Sequence, residues 1–122
     1  MMDDRAKGVA VLARLLGDDR AAAVRDRFAG LSPAFEAEAL SVVFGRTWGR
    51  DTLDTRTRAL CSICILSALG RRSALGINLD IALANGIDRA EIVEALLQVA
   101  IYAGYPAALD ALVALEEAEA RA

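Results

Sequence analysis

The chain contains no histidine. That absence excludes a Ser-His-Asp triad, a Cys-His pair and any imidazole metal ligand. Proton transfer near neutral pH then falls to Asp, Glu, Cys, Tyr or a bound water. Aromatic residues are scarce at 5%, so the core is expected to be Ala, Leu, Val and Ile, whose small side chains suit closely packed helices. A basic stripe is missing too. The net charge is −3 and the pI about 4.9, which argues against nucleic acid as a partner. No run reaches the ~18 uninterrupted apolar residues of a membrane span. The start, MMDDRAKG, lacks the basic end and apolar run of a signal peptide. The expectation is a soluble, cytoplasmic protein with no membrane partner. Strand-like alternation is almost absent, and so is any internal repeat, which leaves an all-α fold.

What is present is enough apolar material for one domain over residues 1–122, with 56% hydrophobic and 25% charged residues. The centre of the pattern is Leu53 to Gly86, which reads as two helices joined by a tight turn. The first, about Thr55 to Leu69, is apolar on nearly every face. Leu60, Ile63, Cys64 and Ser67 repeat at helical spacing while Cys61, Ile65, Ala68 and Leu69 fill the other faces, so burial on all sides is expected. The second, about Ser73 to Asn85, sets Asn78 and Asp80 among apolar residues.

Around that pair the chain divides at its local stop and start signals. Arg5 to Leu16 reads as a helix with Val9, Leu12, Ala13 and Leu16 on one face, ended by Gly17. A short helix follows from about Asp19 to Phe28. Ser32 and Pro33 supply an N-cap hydroxyl and a first-turn proline; their helix is expected to turn Phe35, Ala39, Val42 and Val43 inward and to end near Gly45. Gly45 to Asp54 is the only long irregular piece expected. Asp54 caps the central helix, and Gly86 stops its partner. Asp88 and Glu91 have capping-box spacing and open a helix to about Tyr102, with Ile92, Val93, Leu96, Leu97 and Ala100 inward. Gly104-Tyr105-Pro106 precedes a last helix with a frayed end.

Several constellations bear on chemistry. Cys61 and Cys64 form a CxxC inside an apolar helix. They serve either as core residues, taking free Cys as a small hydrophobe, or as a redox pair, which needs a lowered thiol pKa. Burial works against the second by raising it. Asn78 has Ala74 and Ile81 as helix neighbours and is either a pocket residue or a satisfied structural amide. Asp80, about 200° further round the helix, is expected at the surface or an interface. Arg56 and Arg58 lie in a first turn where cations are mildly unfavourable. Either Asp51 and Asp54 pair with them, or they face an anionic ligand. Glu91, Glu94, Gln98 and Tyr102 share one face. A solvated stripe is expected for Glu91, and a buried, hydrogen-bonded ring for Tyr102.

With these residues in view, the chain resembles the carboxymuconolactone decarboxylase family, within the alkylhydroperoxidase-like superfamily, over nearly its full length. The matching stretches are Phe44–Trp48–Arg50–Leu53, LDTRTRAL, and ALANGIDRAEIVEALLQVAIYAGYPAA. The resemblance implies an all-α subunit of about six helices that assembles as a homotrimer or homohexamer. It implies a pocket at the central helices and loss of CO2 from a small lactone acid without metal or coenzyme. Trp48, Arg50, Arg56, Arg58, Glu94, Tyr102, Gly104 and Pro106 match its pattern. The chain departs from it where the decarboxylases place a Glu pair and a His, having Ser73, Ala74 and Asn78 instead. Where the peroxidase branch has a Glu and a CxxCxxxH, it has Ala59, Arg71, Ala74 and Asn78, so Cys61 and Cys64 lie one helix too early. The expected function is a diverged, cofactor-free lyase acting on a small carboxylated or lactone-like molecule. Its expected catalytic groups are Arg58, Asn78 and Tyr102, and its substrate-binding groups Trp48, Arg50, Glu94 and Gln98. Two alternatives stand: a thiol peroxidase or disulfide reductase using Cys61 and Cys64, and a non-catalytic oligomeric binder.

Overall fold

A computed structural model describes residues 2–122. The described residues form helices and turns only, in two compact units that divide after Leu53.

In the first unit, α1 (Asp4–Leu16), α2 (Asp18–Leu31) and α3 (Pro33–Glu38) lead into a π-helix (Ala39–Trp48). Asp3 caps α1, its carboxylate accepting from the Ala6 amide at 2.7 Å. Gly17, at φ +84°, separates α1 from α2. The Ser32 hydroxyl accepts from the Phe35 amide at 3.1 Å, and Pro33 occupies the first turn of α3. The buried face of α1 is Gly8, Val11, Leu12 and Leu15, one residue earlier than the expected stripe at every position. α2 runs on through Gly30 to Leu31.

The π-helix is the main departure from the expected pattern. Its i→i+5 bonding spaces neighbours on one face five residues apart. The buried residues follow that spacing: Ala39 with Phe44, Leu40 with Gly45. Val42 and Val43, expected inward on a 3.6-residue period, are exposed, and so is Phe35. Phe35 still packs edge-on against Phe28 of α2, with ring centroids 5.3 Å apart. The expected irregular segment is helical as far as Trp48, which leaves only Gly49 to Asp54 without a helix.

Two glycines let α1 and the π-helix touch backbone to backbone. A Cβ on Gly8 would stand 2.6 Å from the Leu40 carbonyl carbon, and closer still to its oxygen. A Cβ on Gly45 would meet the Asp4 carbonyl in the same way. Arg5 ties α1 to α3 as well, with a two-pronged bond to Glu36 (Nε–Oε1 2.9 Å, Nη2–Oε2 2.6 Å).

The second unit holds α4 (Thr55–Leu69), α5 (Arg72–Ala84), α6 (Arg89–Ala103) and α7 (Tyr105–Arg121). Three of the four starts use a local device, and α5 begins without a side-chain cap. Asp54 accepts from the Thr57 amide at 2.7 Å. Asp88 and Glu91 form the full capping box, and Pro106 sits in the first turn of α7. Gly70, at φ +69°, turns α4 into α5. α4 packs on α5, α6 and α7, and α7 also on α5 and α6.

α4 is not buried on all sides. Ala59, Ile63 and Ser67, four residues apart, form its buried stripe, whereas Ile65 (57% exposed) and Leu69 face outward. On α6, Leu97 is likewise exposed rather than inward. The end of α7 is held rather than frayed. Glu117 pairs with Arg72 at 2.9 Å, Glu119 with Arg89, and Arg121 with Asp80 at 3.0 Å. Among the described residues no helix is long and apolar enough to cross a membrane.

Candidate functional site

The outer side of the α4–α6 pair forms a groove of about 310 Å³, lined by Cys64, Ile65, Ala68, Gln98, Val99, Tyr102 and Ala103. Three residues singled out from the sequence, Cys64, Gln98 and Tyr102, therefore meet in one place. The two helices run parallel here. Arg56 pairs with Glu91 near their starts, and Ala68 and Tyr102 share the groove near their ends. The Arg56 pairing replaces the expected one with Asp51 or Asp54, because the Asp54 carboxylate is engaged by its own cap. The hydrogen bonds from Thr57 hold Asp54 below the ordinary carboxylate range, with Arg56 a smaller contributor. Glu91 is accordingly a cap and an ion-pair partner rather than one member of a solvated stripe.

The groove offers hydrogen bonds more than proton transfer. Tyr102 is 84% exposed, not buried; its ring stands at the rim. The Cys64 thiol lies 3.9 Å from the Ala95 carbonyl oxygen. Burial, with a smaller contribution from Cys61, pushes its pKa up, so it stays a neutral thiol at pH 7. Cys61, three residues earlier, is exposed rather than part of the core. Glu94 sits on α6 one turn before Gln98 and is exposed.

A second group of candidates lies on the α4–α5 hairpin. Asn78 is half-buried on α5. Its side-chain nitrogen donates to the Ala74 carbonyl at 2.8 Å, which fixes the amide orientation, since the flipped amide would set two oxygens against each other. The other end, Oδ1, is buried without a donor. Arg58, half-buried in the first turn of α4, has no carboxylate partner among the described residues, in contrast to Arg56 two residues away. No hydrogen bond joins Arg58 to Asn78, and Asn78 does not line the α4–α6 groove.

Trp48 and Arg50 belong to the first unit. Trp48 is buried at the end of the π-helix, and Arg50 is exposed, its amide bonded to the Thr47 carbonyl at 3.1 Å. Among the described residues no three Cys, Asp or Glu side chains are grouped as metal ligands. The groove residues missed from sequence, Ile65, Ala68, Val99 and Ala103, are apolar, and nothing in a sequence separates such residues from core.

The profile of the carboxymuconolactone decarboxylase family matches residues 33–117. A 4-carboxymuconolactone decarboxylase of Acinetobacter baylyi is 30% identical over 111 residues, covering 91% of this chain and 83% of that protein. A nitrosuccinic acid decarboxylase of Metarhizium robertsii is 30% identical over 74 residues, covering 61% of this chain and 52% of that protein. An uncharacterized 15.0 kDa protein of Paracoccus denitrificans is 33% identical over 84 residues, covering 67% and 63%.

Proposed function

We propose, for a chain that belongs to the carboxymuconolactone decarboxylase family, the cofactor-free removal of CO2 from a small carboxylated or lactone-like metabolite. The observation that carries this reading is the orphaned Oδ1 of Asn78. A buried acceptor without a donor costs about 1–3 kcal/mol, and a substrate hydroxyl or a held water supplies the missing donor. The names of two relatives point the same way, since each describes decarboxylation of an acid.

The chemistry asked of the residues is modest. The guanidinium of Arg58, having no carboxylate of its own, holds a substrate carboxylate. As the carbon–carbon bond breaks, its electron pair stays on the substrate and passes into a neighbouring carbonyl. Apolar surroundings favour this step, because neutral CO2 leaves a charged acid. A water supplies the proton to carbon, its hydroxide leaving with the CO2 as bicarbonate, and Asn78 Oδ1 orients that water by accepting from it, without titrating. Tyr102 and Gln98 provide further hydrogen bonds where the α4–α6 groove meets substrate. The thiol reading is weaker, since the Cys64 pKa moves away from the thiolate.

Self-assembly as a homotrimer or homohexamer belongs to the same proposal. Ile65, Leu69, Leu97, Ile101 and Leu109 are exposed on the second unit, apolar surface that a second copy of the chain would cover. Sedimentation of the native protein reads this directly, and a monomer would remove it.

The test of the reaction is CO2 release from 4-carboxymuconolactone and from nitrosuccinic acid. Wild type is expected to release CO2 above the uncatalysed rate, and Arg58→Ala to lose most of that rate. Background release by wild type from both acids would overturn decarboxylation of these substrates.

A further inference from the structure

A second cavity lies elsewhere in the Asp54–Ala122 unit, where the end of α4, the start of α5 and the start of α7 converge. Its volume is about 140 Å³, and its lining includes Ser67, Arg72, Leu75, Asp110 and Ala111. That volume is close to the ~150 Å³ of cavities that accept a benzene-sized molecule. Ser67 is 3% exposed, yet its hydroxyl has no hydrogen-bond partner. The contrast with Ser62 on the same helix is informative. Ser62 donates back to the Arg58 carbonyl at 3.0 Å, as a helical serine ordinarily does. Ser67 makes no such bond, although it is the more deeply buried of the two. A buried hydroxyl left open on a cavity wall is the feature that a bound polar group satisfies.

The charges select the class of that group. Arg72 is engaged by Glu117 at 2.9 Å, and Asp110 stands on the wall beside them. The Arg72 charge is matched by Glu117, so Asp110 is the lining charge without an ion-pair partner among the described residues, and a carboxylate suits an ammonium group. The rest of the lining, Leu66, Leu75, Ala107 and Ala111, suits an apolar body. We propose that this cavity is a binding site for a small primary amine of about six heavy atoms, its ammonium shared by the Ser67 hydroxyl and the Asp110 carboxylate. The site is independent of the decarboxylase reading. Its residues include none of those assigned to that reaction.

The experiment is an NMR titration of the full chain with three probes of one shape: cyclopentylamine, cyclopentanol and cyclopentanecarboxylate. The expected result is saturable shifts with the amine, largest at the amides of Ser67, Gly70, Leu75 and Ala111. The alcohol should bind more weakly, and the carboxylate should not saturate. Ser67→Ala and Asp110→Asn should each weaken the amine by roughly tenfold or more, as for a hydrogen bond to a charged group. Ser67→Ala removes an orphaned hydroxyl, so its unfolding temperature should equal or exceed that of wild type while amine binding weakens. Absence of saturable shifts with the amine, equal binding of amine and carboxylate, or unchanged amine affinity in both variants would each overturn the proposal, and the first of these would mark a cavity that holds only water.

Discussion

The backbone of Gly8 lies against the carbonyl of Leu40, with the Cβ position of residue 8 already taken by that carbonyl. The neighbour is main chain and cannot rotate away. Gly8→Ala should therefore force α1 off the π-helix and destabilise the first unit by about 1–3 kcal/mol or more, the range of core overpacking. Gly30→Ala, where an added Cβ meets nothing, is the control and should leave stability unchanged or slightly raised. Urea unfolding of both variants reads this. Equal midpoints for Gly8→Ala and wild type would rule the contact out.

Glu36 gives the first unit an acid-sensitive clamp. The two hydrogen bonds from Arg5 lower its pKa below the ordinary 4.5, burial acts in the opposite direction, and the charges of Arg5 and Arg25 add to the lowering. A depressed carboxylate pKa means that the unfolded state binds the proton more readily. The stabilisation is therefore complete above about pH 4.5 and disappears as pH falls through the folded-state value. The melting temperature of Glu36→Gln should lie below that of wild type at pH 7, and the gap should close on acidification below pH 4.5. A gap that stays constant from pH 7 to pH 3 would show that the clamp does not depend on ionisation.

Asn78 occupies the place where the resemblance to the decarboxylases implies a histidine. Asn78→His should put a titrating group with a pKa near 6.5 among the proposed substrate-binding residues. The expected outcome is a rate of CO2 release that acquires a new pH-dependent limb between about pH 5 and 8. Asn78→Leu should lose the rate while folding at least as stably, because the orphaned acceptor is gone. A rate–pH profile with the same shape for wild type and Asn78→His would remove residue 78 from the reaction.

The two thiols should react at separate rates. Cys61 is exposed, whereas Cys64 is half-buried with a raised pKa, and thiol chemistry runs through the thiolate. A chromogenic disulfide added to the native protein should label one thiol quickly and one slowly, and Cys61→Ser should abolish the fast phase alone. A single fast phase of two thiols would revive the redox pair.

The helix ends were legible in the residues because their determinants are local. Asp54, Ser32 with Pro33, the Asp88–Glu91 box and Gly17 each act within four positions of the end they set, and no distant contact alters that geometry. The central pair, α4 and α5, follows from the same punctuation. The family likeness was legible too, carried by the segments around Trp48, Arg58 and Tyr102. What those residues do in three dimensions was less so. Tyr102 looked like a buried ring because its segment is apolar, but an apolar segment on the outer face of a helix pair reads the same as one in a core.

By itself the sequence determined the all-α class, the placing of the helices and the lack of an imidazole for proton transfer, all properties of composition or of contacts a few residues long. The tertiary structure alone decided the rest. The π-helix from Ala39 to Trp48 changes which side chains are buried. The partner of Arg56 is Glu91, 35 positions on, and not the nearby Asp54. The hydroxyl of Ser67 and the amide oxygen of Asn78 are left without donors or acceptors of their own. Each of these depends on which helix lies alongside, and helical periodicity gives the direction a side chain takes without saying what it meets.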